Sequence, residues 1–168
     1  DDIRLDNMTH AVFVRSPHAH ANIKSINKAK ALAAPGVVAV LDGPDVVDAK
    51  INGLPCGWLI TDTSGKPMNE PPHPILANGK VRYVGDHVAM VVAETLEQAK
   101  NAAELVEVDY DVLPAVVDVR QAKSATALHA EAPNNHCYNW AIGDKAAVDA
   151  AFANAAHVTK RSESTRLN

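Results

Sequence analysis

Rings are scarce in this sequence. Two Phe, two Trp and three Tyr amount to 4% of 168 residues, so any core must be built from aliphatic side chains. Cysteine is scarce too: Cys56 and Cys137 stand far apart and outside any C-x-x-C spacing, which excludes a disulfide framework and a zinc knuckle. Both are read as reduced thiols, and the expected setting is cytoplasmic. No apolar run approaches the roughly 20 residues that cross a bilayer, and the opening Asp1-Asp-Ile-Arg-Leu-Asp6 has no export pattern. Positive charge does not dominate either. Sixteen Lys and Arg against twenty Asp and Glu leave a net charge of -4 and a pI near 6.0, so neither a phosphate backbone nor an anionic membrane is an expected partner. An initiator Met is missing, and Ser162 to Asn168 reads as a strand without a closing signal; together these predict a segment excised from a longer chain.

What is present is a chain rich in Ala and Val, 47% hydrophobic and 21% charged, as in ordinary folded domains. Its length suits one domain, 1–168, burying roughly 68–70% of its unfolded surface.

The apolar run His10 to Arg15 predicts a strand that Ser16-Pro17 ends. Ala21, Ile23 and Ser25 alternate with polar residues as a second strand, and Lys28 to Ala34 predicts a helix closed by Pro35-Gly36. Val37 to Leu41 is continuously apolar and predicts a strand buried on both faces, after which Asp42-Gly43-Pro44-Asp45 predicts a turn. Between about 49 and 77 periodicity fails among prolines and glycines, which predicts a long irregular insert. Ordering so long a loop needs a compensating contact, and Cys56, Trp58, Leu59 and Ile60 predict that it packs against something.

The pattern then returns. Val81 to Val84 and Val88 to Ala93 predict strands separated by Gly85-Asp86-His87, with Gly85 free to take a positive φ. Thr95 and Gln98 have the spacing of a capping box, opening a helix whose Leu96, Ala99, Ala102 and Ala103 share a face. Val106, Val108, Tyr110 and Val112 alternate with Glu107, Asp109 and Asp111, the mark of a strand with one dry face. Ala115 to Val119, His136 to Ile142 and His157 to Arg166 are further strand candidates. Asp144 caps a last helix with Ala147, Val148, Ala151, Phe152 and Ala155 on one face. The sum is an α+β fold of mixed strands with about three short helices.

Candidate chemistry is thin. His18 and His20, two apart on an extended segment, point to one side and are a partial metal site, but nothing nearby completes a ligand set of three or four. Cys56 lacks a neighbouring base. Glu107, Asp109 and Asp111 are better explained as the wet face of a strand than as a cation site. Arg15 is read as a strand-end charge rather than an anion anchor, and the glycines form neither G-x-G-x-x-G nor a P-loop. No catalytic, cofactor-binding or metal-ligating residue is assigned.

Several segments carry a resemblance. Val14-Arg-Ser-Pro-His-Ala-His-Ala21, Pro35-Gly-Val-Val-Ala-Val40, Leu76 through Thr95, Ala99 through Tyr110 and Leu113-Pro-Ala-Val-Val-Asp118, with the tail from Gly143 to Asn168, resemble the molybdenum-binding large subunits of xanthine dehydrogenases, aldehyde oxidases and carbon monoxide dehydrogenases. Leu54-Pro-Cys-Gly-Trp58 looks closest to the bacterial carbon monoxide dehydrogenase type. The resemblance implies an N-terminal α/β-hammerhead domain that is noncatalytic and packs against the rest of the large subunit. It also implies a parent oxidoreductase using a molybdopterin, as the molybdenum cytosine dinucleotide, with iron–sulfur clusters and FAD on companion subunits or domains. No cofactor is expected in these 168 residues. A free-standing small-ligand or subunit-binding module is the alternative, and the exposed apolar insert predicts self-association of the isolated chain.

Overall fold

The computed structural model describes residue 3 and residues 5–161. Six strands form two three-stranded antiparallel sheets, and the chain alternates strictly between them. The first sheet has the order β1 (His10–Arg15), β5 (His87–Ala93), β3 (Val37–Asp42), and the second has β4 (Lys80–Val81), β2 (Ala21–Asn27), β6 (Glu107–Val112). β5 and β2 are therefore the central strands.

Two small aliphatic cores follow from this arrangement. Helices α1 (Ala29–Leu32) and α3 (Leu96–Ala103) cover the first sheet, where Ala31, Val40, Val91 and Ala102 are buried together. Ala21, Ala77, Val81 and Val88 form the second core, flanked by Ile23, Ile26, Val108 and Tyr110 from β2 and β6. Val88 and Val91 lie three apart on β5, so their side chains leave opposite faces of the strand. One strand thus joins both cores.

β1 ends at Arg15, before Ser16-Pro17, as the proline requires. Ser16 is buried, its hydroxyl donates to the His18 carbonyl at 2.9 Å, and its own N–H donates to the Asp86 carbonyl at 2.8 Å. Thr95 caps α3 with the reciprocal Gln98 bonds, and Ala99 and Ala102 are its fully buried residues.

Other expectations are corrected. The continuous run at β3 is an edge strand, with Val38 60% exposed; the strand buried on both faces is β5. Asp42 to Asp45 is not a turn but the start of α2 (Gly43–Asp48), because Asp42 and Asp45 cap each other reciprocally and Pro44 has the φ a first helical turn needs. The described residues accordingly hold four α-helices rather than about three, with two short 3-10 turns at Ala122–Ser124 and Pro133–Asn135. The strand expected over 81–84 stops at Val81, since the Arg82 N–H is taken by the Asp86 carboxylate at 3.0 Å and Gly85, at φ 90°, turns the chain. Residues 115–119 and 136–142 are not strands, and neither is 157–161; the remainder of the last candidate, from 162, lies outside the described residues.

Candidate functional site

The insert holds almost no regular structure, a lone bridge between Thr61 and Pro67 excepted. It is nevertheless tied down. Thr63 and Asn69 donate backbone N–H groups to Asn139 and Cys137 at 2.9 Å each, and the Asn139 N–H donates to the Asp62 carboxylate at 2.5 Å. The Asn139 N–H, followed by the bonds from Ser64, holds the Asp62 carboxyl below the usual carboxylate range. The contact that orders the insert is thus the segment around 136–139, a pairing of remote irregular stretches for which the sequence offers no periodic signal.

Leu76 and Ala77 at the end of the insert are buried, but its middle stays outside. Trp58 is 77% exposed and Leu59 67%, and across the pairing Trp140 and Ile142 are also exposed. Helix α4 (Lys145–Ala153) begins at its Asp144 cap as read, yet every one of its residues is exposed, Val148 and Phe152 included. Its apolar face meets none of the chain's core.

Behind the insert is a cleft of about 340 Å³. It is lined by Pro71, Pro72, His73 and Pro74 from the insert, by Arg82, Tyr83 and Asp86 from the turn between β4 and β5, and by His129. The Arg82 Nε donates to the Leu128 carbonyl at 3.1 Å, which fixes the guanidinium plane, and no carboxylate among the described residues forms an ion pair with it. The His129 Nδ1 is buried without a hydrogen-bond partner. Burial pushes the pKa of His129 down, and Arg82 and His73 push it the same way against the opposing charges of Glu131 and Asp86. Burial and the Asp86 carboxylate raise Tyr83.

The residues singled out from sequence fall elsewhere. His18 and His20 lie in the β1–β2 loop, not on a strand. His20 is buried and its Nδ1 donates to the Pro114 carbonyl at 2.8 Å, whereas the His18 ring meets the edge of Tyr110 at a centroid distance of 5.0 Å. Arg15 donates to the Gly85 carbonyl at 3.3 Å and so clasps a turn. Glu107, Asp109 and Asp111 line the outer face of β6, facing Lys30, Lys24 and Asn22; the Lys30 hydrogen bond lowers the Glu107 pKa. Cys56 shares a hollow with Glu70 and His73, a proximity that sequence order conceals, but its thiol donates to the Trp58 carbonyl at 3.2 Å rather than to a base.

The described residues bring no three His, Cys, Asp or Glu side chains together with metal-ligand proximity. The glycines that permit close approach at 43 and 53 admit the chain's own backbone, at Ala77 and His73, rather than an open cradle.

Two interleaved three-stranded antiparallel sheets with covering helices and a long ordered insert define an α+β domain. The model for the aldehyde oxidase and xanthine dehydrogenase a/b hammerhead domain matches residues 1–114, and the chain belongs to that family. It is 40% identical over 174 residues to the carbon monoxide dehydrogenase large chain of Afipia carboxidovorans, covering 95% of this chain and 20% of that one. It is 35% identical to the nicotine 6-hydroxylase large subunit of Paenarthrobacter nicotinovorans, covering 94% and 19%. Among solved structures, the reconstituted CO dehydrogenase from Oligotropha carboxidovorans superposes with a TM-score of 0.71 at 37% identity, covering 93% of this chain and 20% of that one. The chain thus spans about a fifth of the length of these relatives.

Proposed function

We propose that residues 1–168 act as one noncatalytic structural and interface domain in the large subunit of a molybdenum hydroxylase. The observation that carries this reading is the set of large apolar side chains left exposed along the insert and the 117–152 stretch: Trp58, Leu59, Val117, Val119, Trp140 and Phe152. A folded domain seldom leaves so many uncovered unless another surface meets them. The parent enzyme is then an oxidoreductase of the carbon monoxide dehydrogenase or aldehyde and xanthine oxidising type. Its molybdopterin, as the cytosine dinucleotide, sits outside these residues, and electrons leave through iron–sulfur clusters and FAD on companion subunits or domains in the cytoplasm.

The test is made in the full-length enzyme. Trp58→Ser and Trp140→Ser are expected to lower the assembled fraction in sedimentation at least severalfold while activity per assembled complex stays unchanged; Cys56→Ser is expected to change neither. Loss of turnover with assembly intact in any of the three would overturn the noncatalytic assignment.

A further inference from the structure

A guanidinium that is half-buried and has no counter-ion is costly unless some anion completes it. Arg82 is such a group, anchored through Nε so that its remaining N–H donors keep a fixed orientation, the geometry that suits a carboxylate or phosphate. His129, whose Nδ1 is buried without a partner, and Tyr83 line the same cleft. Three proline rings, rigid and apolar, also line it. About 340 Å³ is more than an inorganic ion needs and lies near the lower end of ligand pockets, roughly 300–1,000 Å³.

We propose that this cleft binds a small organic acid, its carboxylate or phosphate held by Arg82 and His129 and its apolar body laid against Pro71, Pro72 and Pro74. The site does not depend on the interface role, since it is lined by different residues. A second hollow, containing Lys50 and Ile51, shares the wall of Pro72, Pro74 and Arg82, so Lys50 serves as a control for which side the acid occupies.

The charges facing the cleft set the pH dependence. Arg82, Asp86, Glu131 and His73 all lie near His129, and Arg15 lies near His87. The cleft therefore gains net positive charge when its imidazoles take up protons. An arriving anion favours the charged form of His129, so binding takes up a proton and tightens as pH falls toward the free-state pKa of that residue.

Calorimetry on the full-length protein with benzoate, acetate, phenyl phosphate and inorganic phosphate tests this. The expected result is saturable binding of benzoate and phenyl phosphate, each at least fivefold tighter than its small counterpart, with proton uptake revealed by buffers of different ionisation enthalpy. Arg82→Gln should weaken binding tenfold or more, Arg82→Lys should recover only part of it, and Lys50→Gln should leave it unchanged. His129→Gln should abolish the proton uptake, a readout that stands even if Arg82→Gln fails to fold. No saturable binding, as when a polypeptide carboxylate already fills the cleft, would overturn the proposal. So would proton uptake that survives His129→Gln, or affinity that Lys50→Gln removes.

Discussion

Lys28 shows how a single charge ties local structure to pH. Its ammonium lies 2.9 Å from the Asp42 carboxylate and also bonds Asp45, bridging the residue before α1 to the cap of α2. Burial pulls the Lys28 pKa down, but the bonds from Asp45 and Asp42 outweigh it, leaving it above 10.5. Asp45 moves the other way: the Lys28 bond, with backbone help from Asp42, holds it below 3.8. A carboxyl lowered by folding contributes stability above its ordinary value and loses it as pH falls through its folded value; the raised ammonium loses its contribution as pH climbs through the folded value. Urea midpoints should therefore drop between about pH 4 and pH 2 in the native protein, and Lys28→Met should flatten that drop. A slope unaltered by the substitution would contradict the bridge. At the same scale, Leu76 is 2% exposed, and Leu76→Ala should cost about 2–5 kcal/mol by denaturant unfolding.

At the scale of elements, α3 rests on its cap. Thr95→Ala should cost about 1 kcal/mol in the same measurement, since it orphans the Gln98 N–H. Elements whose signals are local were legible in the sequence: the capping box at Thr95, the proline stop after Arg15, the alternation of β6 and the Asp144 cap all stand where the pattern puts them. The failures have physical causes. At β3 burial depends on edge or centre position, which is a matter of sheet order and not of composition. At Asp42 to Asp45 a turn and a helix start use the same residues, and the reciprocal Asp45 bond decides between them. The cleft was not legible at all, because Pro71 to Pro74, Arg82 and His129 are brought together only by tertiary structure. Arg82 in particular reads as one more strand residue until the turn to Asp86 takes its N–H.

For the whole molecule, the exposed apolar side chains decide behaviour in solution. The isolated 168-residue chain should sediment as a dimer or larger species at high concentration, and Trp58→Ser with Leu59→Ser should shift it to monomer. A monomeric profile for the unmodified chain would show that those side chains do not adhere to one another. Neither thiol is engaged in a disulfide among the described residues.

The alternation of strands between the sheets also says what a protease would leave behind. A single cut within residues 54–72 separates β1, β2 and β3 from β4, β5 and β6, yet each sheet draws strands from both pieces. Neither piece owns a complete layer, so the nicked polypeptide is expected to run as one particle on a sizing column and to fall into two only in denaturant.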